Sequence, residues 1–487
     1  MKRVLIIGNA PLPTENTKSR PAAGLRTYQF IKPLLKKGGI NIKDAAHAFA
    51  SEKRQHFSIC LINIAMPECY DHPPKRKLIR HSDDYLEYTI SKNDADLTPY
   101  IQSVCDEFHP EVIVSINTFP SYIASKINCP APMWADLNGW IMSEAQAQAF
   151  KTNSNDYLSH YYSMEKSILR RADKISTVSK PQLFSVMGEL AFWGRLNKES
   201  FGYQFAHHIP NGTEYFDSDC VSVVGEKGKP PFYGANLMDI LSESVPRDAF
   251  VALWLGGYNT WVDEITLFKG LIEAMEKCKD LYFVSTGGDI KGLDNKTFAK
   301  FKELIDKSEY KDRFVFLGWL PTCDIPYIYS RANVGLNVDR KCMETFTGAR
   351  NRINEMMKFG LPVITTLGSE ISNEVASCGS GIVIESGKYE ELSEAICIMN
   401  KEWTNKTVKY REFKENGQKY IDEMCNYTKL QKPLIDWLEN PRPAPDRGLN
   451  INLESKFGFL VGGFKYFRER GIKNGISKAF QKLRNRF

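Results

Sequence analysis

Short apolar stretches alternate with amphipathic ones along most of this chain, and that alternation restricts the fold more than any other feature. The first unit is an apolar run at Arg3–Gly8, a polar loop that contains proline, and a helical pattern over Leu25–Leu35 that stops at Gly38. A strand, a loop and a helix in this order form the repeating unit of a parallel α/β sheet. The pattern therefore predicts an α/β protein built from doubly wound, Rossmann-like sheets.

The alternation runs in two series, which a loop-like stretch separates. Predicted strands lie at 3–8, 57–64, 112–116, 132–136 and 174–178 in the first series, and at 250–255, 281–286, 314–317, 334–337, 363–365 and 381–384 in the second. A helical pattern over 421–438 follows and ends before a proline-rich stretch. We expect a Rossmann-like domain at 1–216, a linker at 217–248, a second Rossmann-like domain at 249–425, a closing helix at 426–440 and a tail at 441–487.

Composition excludes several classes of protein. The 487 residues are 43% hydrophobic and 25% charged, which is typical of soluble globular proteins. The eleven cysteines include no C-x-x-C pair, which argues against a zinc ribbon or a thioredoxin-like motif and favours reduced thiols in a cytoplasmic protein. The apolar run near Met1 is too short for a signal peptide, and no run approaches the ~20 residues that span a bilayer.

Five motifs follow one another in a fixed order across both series. They are Ala172-Asp-Lys-Ile-Ser-Thr-Val-Ser179, His208-Ile-Pro-Asn-Gly-Thr213, Leu253-Trp-Leu-Gly-Gly257 with Phe268-Lys-Gly270, Phe314-Val-Phe-Leu-Gly318, and Asn354-Glu-Met-Met-Lys-Phe-Gly-Leu-Pro-Val-Ile-Thr365. Together they resemble the retaining GT-B transferases, especially glycosyltransferase family 4, the group 1 glycosyltransferases. The last motif is similar to that family's Glu-Ala-Met-Ala-x-Gly-x-Pro-Val segment. The resemblance implies a GT-B fold, in which two Rossmann-like domains face a cleft.

The resemblance also implies a nucleotide-sugar donor, a UDP- or GDP-sugar, bound by the second domain. Glycines that end a strand let the backbone approach a phosphate, and arginine grips phosphate oxygens with two donors. By resemblance, Glu355 accepts from the ribose hydroxyls and Trp319 lies beside the base. Taken singly, these residues also fit a turn, a solvated helix or surface charge, but their joint order favours a donor site. The expected donor-binding residues are Gly24, Gly256, Gly257, Lys269, Trp319, Arg350, Asn351 and Glu355.

The chain departs from the family in two places. Thr347 stands where the family commonly has the first of two glutamates, and Gly256-Gly257 replaces a Gly-Arg pair. Glu344, a little upstream, is the candidate for the missing carboxylate, and with Asp136 and Arg352 it completes the expected catalytic set. Retention of anomeric configuration is implied by the resemblance alone.

Polar residues at the end of a predicted strand mark the acceptor side of the first domain. Asp136 would deprotonate the acceptor hydroxyl in an inverting enzyme, or would orient the acceptor in a retaining one. Asn138 is expected beside it. A helix cap or a loop aspartate explains Asp136 equally well. Gly24 resembles the family's glycine loop, with Arg20 and Arg26 as helpers.

Two Asp-x-Asp sequences match the metal-binding motif of GT-A transferases. Neither Asp94-Ala-Asp96 nor Asp217-Ser-Asp219 follows a predicted strand as that motif requires. In GT-B enzymes, basic side chains and backbone amides stabilise the leaving diphosphate instead. We therefore expect an enzyme that uses neither a metal ion nor a cofactor.

The carboxy-terminal tail carries the positive charge of the chain. Nine Lys or Arg residues and one Glu lie between Ser455 and Phe487, which leaves the rest of the chain slightly acidic. Over 464–487 the apolar and basic residues interleave at helical spacing, which is typical of a segment that binds an anionic membrane surface. Packing of this segment on the protein body is the alternative. No motif indicates binding to nucleic acid, so we expect a peripheral location at the inner face of the membrane.

These observations predict a metal-independent, hexosyltransferase-like enzyme. It would move a sugar to a hydroxyl of a glycan or lipid-linked glycan, with retention, in surface polysaccharide assembly. Two alternatives stay open: a noncatalytic GT-B-like subunit that binds carbohydrate or scaffolds an assembly, and a sugar-nucleotide epimerase.

Overall fold

A computed structural model describes residues 1–15, 17, 21–37, 57–214, 241–290, 294–320, 324–449 and 451. Most of the predicted linker, Arg20, Asp217-Ser-Asp219 and the basic segment 464–487 lie outside these residues. Among the described residues, every helix is too short or too polar to cross a bilayer.

The first sheet has eight strands in the order β3-β4-β2-β1-β5-β6-β7-β8. They are β1 (Lys2–Ala10), β2 (Phe57–Ala65), β3 (Lys77–Ser82), β4 (Tyr85–Ser91), β5 (Val112–Ile116), β6 (Met133–Leu137), β7 (Lys174–Thr177) and β8 (Ala206–His208). All neighbours are parallel except β3 and β4. Its helices are α1 (Ala22–Lys37), α2 (Leu97–Phe108), α3 (Thr118–Lys126), α4 (Ile141–Thr152), α5 (Leu158–Arg171) and α6 (Lys180–Phe192).

The central strands are buried on both faces, as a parallel sheet requires. Every residue of β5 and β6 is buried, and β1 is buried from Val4 to Ala10. By contrast β3 is largely exposed and carries Lys77, Arg80 and His81. Charged side chains at an edge strand discourage pairing with another chain.

The second sheet has six strands, all parallel, in the order β11-β10-β9-β12-β13-β14. They are β9 (Phe250–Trp254), β10 (Leu281–Ser285), β11 (Phe314–Phe316), β12 (Val334–Asn337), β13 (Val363–Thr366) and β14 (Gly381–Ile384). The helices are α7 (Glu264–Lys277), α8 (Lys296–Asp306), α9 (Ile325–Arg331), α10 (Met343–Thr347), α11 (Asn351–Lys358), α12 (Glu370–Cys378), α13 (Tyr389–Thr404) and α14 (Val408–Met424). This is the Rossmann strand order, which places a ligand crevice beyond β9 and β12, where the order reverses.

The chain then returns to the first domain through α15 (Tyr427–Leu430) and α16 (Lys432–Glu439). The single closing helix expected over 421–438 is wrong, because α14 ends at Met424 and the Asn426 side chain caps a new helix by accepting from Lys429 N. Both helices pack into the core beside β1, and Lys2 Nζ donates to Leu438 O at 2.8 Å. The start of the predicted tail is also anchored, since Arg195 pairs with Asp446 at 2.9 Å.

The two domains touch along α4 and α6. Ser143 Oγ lies 3.2 Å from Thr347 Oγ1, and Ser179 Oγ donates to Thr347 O. Further along, Lys151 forms an ion pair with Asp294. The crevice of the second sheet therefore faces the first domain across a closed interface.

Candidate active site

The crevice of the second sheet begins at two glycines directly after β9. Gly256 has φ +93°, a conformation that glycine adopts readily and other residues rarely do. A side chain at Gly257 would meet Ile290 at 2.5 Å and the Trp319 ring at 3.5 Å. Among the described residues, the Gly257 N–H donates to no protein acceptor. The turn therefore brings backbone close to any group that enters the crevice, with the Trp319 ring at its side.

Arg352, on the first turn of α11, reaches this turn. Its Nη2 donates to Gly257 O at 3.0 Å, and its guanidinium lies 4.3 Å from the centre of the Trp254 ring. Its buried Nη1 has no hydrogen-bond partner within the part of the chain that the structure describes, and the same holds for Trp254 Nε1. Burial lowers the pKa of Arg352. Since buried donors are rarely left unpaired, this cation has unused capacity for an anionic ligand.

Arg350 has a different environment, although it lies only two positions earlier. Its Nε lies 2.5 Å from Asp339 Oδ2, and its Nη1 and Nη2 donate to the Glu344 carboxylate at 3.1 and 2.6 Å. Burial opposes its charge, but the two carboxylates outweigh burial and raise the pKa of Arg350. Its guanidinium is therefore already neutralised, and it holds Glu344 in place.

Glu344 lies on the short helix α10, at the end that approaches the first domain. Burial raises the pKa of its carboxyl, while Arg350 acts in the opposite direction. Thr347, one turn later, is fully buried in the contact with Ser143 and Ser179. The family's glutamate position is thus used here for contact between the domains.

Asn351 and Glu355 share one face of α11, because residues four apart lie one helical turn from each other. Asn351 Oδ1 is buried, and no described residue donates a hydrogen bond to it. Glu355 is buried and accepts from the Tyr329 hydroxyl at 3.1 Å. Burial, and then the Glu355 charge, raise the pKa of Tyr329. The structure therefore brings Asn351, Arg352 and Glu355 together on α11.

Lys269 lies apart from these residues. It is exposed, and its ammonium lies 5.2 Å from the centre of the Tyr389 ring on α13. Its neighbour Gly270 packs against Leu392 of the same helix. This turn of α7 thus faces the outer helical layer, and Lys269 has no hydrogen bond to the crevice within the described ranges.

Asp136, at the end of β6, is fully buried in an internal ion pair. Its carboxylate accepts from Arg26 Nε and Nη2 at 3.0 and 2.7 Å and from Ser176 Oγ at 2.6 Å. Arg26 also donates to Ile209 O and Asn211 Oδ1, at 2.7 and 3.0 Å. This geometry fits a positioning residue for the 209–211 turn, and it leaves no route from solvent to the carboxylate.

Asn138 belongs to a chain of asparagines at the ends of three neighbouring strands. Its Nδ2 donates to Asn117 Oδ1 at 3.1 Å, and Asn117 Nδ2 donates to Asn9 Oδ1 at 3.1 Å. Gly24, nearby in α1, has no room for a side chain, because a Cβ would lie 1.9 Å from Pro11 O. Close packing alone therefore explains this glycine.

Asp94 and Asp96, one of the two Asp-x-Asp sequences, are held by Arg76. Arg76 Nη2 lies 2.6 Å from Asp94 Oδ1 and 3.3 Å from Asp96 Oδ2. The side chains lie on the loop between β4 and α2. The motif thus has a local electrostatic explanation.

Glu144, on the first turn of α4, was not among the expected site residues. It stands beside Ser143 at the domain interface, where burial and Glu344 raise its pKa to about 8 while Arg350 lowers it. No motif identifies Glu144. The sequence signal is only an acidic residue in the first turn of a helix, which normally indicates helix stabilisation.

Comparison with known proteins supports this reading of the fold. Residues 249–401 match the family model described as Glycosyl transferases group 1. Sucrose-phosphate synthase from Thermosynechococcus elongatus is similar in structure, with a TM-score of 0.61 and 14% identity over 90% of this chain and 98% of that one. HepE from Anabaena, in complex with UDP-glucose, gives 0.56 and 13% over 90% and 100%. An E. coli structure described as trehalose-6-phosphate bound with UDP-2-fluoro glucose gives 0.60 and 10% over 91% and 100%.

A search of curated proteins gives no sequence match. The expected GT-B fold is confirmed, and so is the resemblance of the second domain to group 1 glycosyltransferases.

Proposed function

We propose that this protein is a glycosyltransferase that moves a sugar from a nucleotide-sugar donor to a hydroxyl of a glycan or lipid-linked glycan. The observation that carries the proposal is the unpaired, buried Nη1 of Arg352 beside the Gly256-Gly257 turn. A diphosphate in this crevice would supply the missing acceptor and would meet the N–H of Gly257. Both features lie where a Rossmann-like sheet binds its ligand.

The donor-binding residues would divide the nucleotide sugar among them. Arg352 would neutralise the diphosphate, Glu355 would accept from the ribose hydroxyls, and Trp319 would lie against the base. A UDP-sugar is favoured over a GDP-sugar, because HepE was solved with UDP-glucose. Arg350 would hold the Glu344 carboxylate in position, and Lys269 would lie outside the donor site.

In the reaction, the bond between the anomeric carbon and the diphosphate oxygen breaks as the acceptor oxygen bonds to that carbon. The acceptor proton leaves with the released nucleoside diphosphate or with a neighbouring carboxylate. Arg352 and the Gly257 N–H would stabilise the charge that develops on the diphosphate, which is the function that a metal ion performs elsewhere. The proposed reaction is metal-independent and retaining, and the family resemblance supports retention.

A noncatalytic carbohydrate-binding subunit is the second candidate. It is favoured by Thr347, which joins the domains at the position where the family commonly has a carboxylate. Such a subunit would bind the donor and release no product.

The decisive experiment is donor turnover by wild type, Arg352→Met and Lys269→Met with a panel of UDP- and GDP-sugars in EDTA. Arg352→Met removes a cation from the crevice, and Lys269→Met removes one from the outer face of α7. We expect nucleoside diphosphate release by wild type and Lys269→Met, and loss of release with Arg352→Met. Equal effects of the two substitutions would contradict the site, and binding without release would favour the second candidate.

We also propose that the basic segment 464–487 holds the enzyme at the inner face of the membrane, where a lipid-linked acceptor of surface polysaccharide assembly is available. The charge of the segment supports this, since each cation near an anionic surface contributes about 1 kcal/mol. Co-sedimentation with vesicles of anionic and of neutral lipid tests it. Replacing Lys473, Lys478 and Lys482 by Glu should abolish binding to the anionic vesicles.

A further inference from the structure

A cavity separate from the crevice of the second sheet lies in the first domain, between α4, α5 and α6. It has a volume of about 260 Å³, and its wall includes Tyr162, Glu165, Glu189, Phe192 and Trp193. Gly188 adds open space, because a Cβ there would meet no atom within 4 Å. Sites for drug-sized ligands occupy roughly 300–1,000 Å³, so this cavity suits a smaller ligand such as a single sugar ring.

Two carboxyl groups form the polar part of the wall. Glu165 is 3% exposed, and its carboxyl hydrogen-bonds with the carboxyl of Glu189, which requires one of the two to hold a proton. Glu189 also accepts from Trp140 Nε1 at 3.1 Å. Burial, and then the neighbouring Glu189, raise the pKa of Glu165. Within the described residues no N–H group donates to Glu165, so the oxygens of this carboxyl pair can still accept from the hydroxyl groups of a ligand.

Aromatic rings form the rest of the wall. Tyr162 and Trp193 have ring centres 5.6 Å apart, and Phe192 packs edge-on to Trp193 at 5.5 Å. The ammonium of Lys166 lies 4.8 Å from the centre of the Trp193 ring. This ammonium would repel a cationic ligand that approached the same ring. The aromatic wall therefore favours a neutral ligand. A sugar fits, because its C–H face packs on rings while its hydroxyls reach the carboxyls.

The cavity is joined to the interface between the domains through α4. Trp140, which donates to Glu189, is the residue from which α4 begins. Ser143 and Glu144, within the next turn, face Thr347 and Glu344 of the second domain. Helix α4 thus lines the cavity and also contacts the second domain.

We propose that this cavity binds one sugar ring of the glycan acceptor, a ring that does not itself react. The identification of this sugar as part of an acceptor rests on the proposed function, but sugar binding by the cavity can be measured separately. It predicts that the enzyme prefers acceptors with at least two sugar units, because one ring occupies the cavity while another presents its hydroxyl at the interface.

The matched variants are Phe192→Ala and Phe184→Ala. Both side chains are 72% exposed and both lie on α6, but only Phe192 lines the cavity. Glu165→Gln is the third variant, since an amide removes the buried acid without changing its shape. The probes are glucose, galactose, mannose and N-acetylglucosamine as methyl glycosides and as disaccharides, measured by ligand-observed NMR without donor.

We expect at least one probe to bind wild type and Phe184→Ala, and to bind Phe192→Ala about tenfold more weakly, as for loss of an aromatic anchor. Glu165→Gln should lose affinity while unfolding at the same or a higher urea concentration. Binding of no probe, or equal loss in the Phe184→Ala and Phe192→Ala variants, would overturn the inference. Sugar binding is measured without donor, and donor turnover by Phe184→Ala, outside the cavity, should equal that of wild type. A failure of the donor proposal would therefore be seen separately.

Discussion

Arg352 and Gly257 are joined by a hydrogen bond of 3.0 Å from Nη2 to the backbone oxygen. This contact fixes the guanidinium beside the glycine turn, while Nη1 donates to no acceptor among the residues that the structure describes. The two ends of the same planar group are thus used differently, one for positioning and one for a ligand.

This division of roles predicts that Arg352→Lys does not retain the activity of the wild type. A lysine keeps the charge but has no rigid fork, so it cannot hold the glycine carbonyl and the diphosphate at once. We expect kcat/KM for the nucleotide sugar to fall by about 10²-fold, the usual effect of losing one preorganised donor to developing charge. A coupled assay of nucleoside diphosphate release measures this, with Lys269→Arg as the control that should stay near wild type.

The cluster of Arg350, Asp339 and Glu344 predicts a large effect on stability. Arg350→Met would leave two buried carboxylates without their cation, and removal of one partner from a buried pair typically costs about 3–5 kcal/mol. Urea unfolding at pH 7 measures it. Lys277→Met is the control, because the Lys277–Glu273 pair is exposed and such pairs contribute about 0.3–0.5 kcal/mol. A loss below 1 kcal/mol in Arg350→Met would contradict a structural role for this cluster.

The two arginines also show what the sequence could and could not predict. Apolar runs identified all six strands of the second sheet, because strands buried on both faces are apolar throughout. The exposed strand β3 was missed because its residues are polar. Arg350 and Arg352 were both expected to neutralise the diphosphate. Only the fold shows that one meets two carboxylates and the other a glycine turn.

The first domain was less predictable for a related reason. Asp136 and Arg26 lie far apart in the sequence, and no sequence pattern around either residue indicates that they pair in the core. The helix α4, which carries Glu144 to the interface, was not among the predicted elements. Its contacts with Thr347 and Glu344 come from the packing of two domains, which no pattern within α4 encodes.

Glu144 predicts a pH dependence of stability. Burial and Glu344 raise its pKa to about 8 in the folded protein, against an ordinary glutamate pKa of 4.5. The folded state therefore holds this proton more tightly, and the contribution of Glu144 to stability is lost as the pH rises from about 4.5 to about 8. Glu144→Gln should remove this slope. Its free energy of unfolding in urea should match that of wild type near pH 4.5 and exceed it at pH 8.5, by about 4–5 kcal/mol if the whole pKa shift is expressed.

The matched control for this experiment is Gln146→Glu, at an exposed position on the same helix, which should leave the pH dependence of wild type unchanged. Equal slopes for wild type and Glu144→Gln between pH 5 and pH 8 would show that Glu144 ionises normally. In that case its carboxyl would be ionised at neutral pH.

The glycines of the first domain predict opposite effects of one substitution. Gly24→Ala would force a Cβ to within 1.9 Å of Pro11 O, a backbone atom that cannot turn aside, so α1 must shift. Overpacking of this kind costs about 1–3 kcal/mol. Gly188→Ala, in α6, meets no atom within 4 Å, and alanine in a helix interior is favoured over glycine by about 0.5–1 kcal/mol. The midpoint temperature of thermal unfolding should therefore fall for Gly24→Ala and rise for Gly188→Ala.

Gly188 also lines the cavity between α4, α5 and α6. Gly188→Ala should therefore bind the sugar probes more weakly despite its greater stability. A gain in both stability and sugar affinity would place the sugar elsewhere.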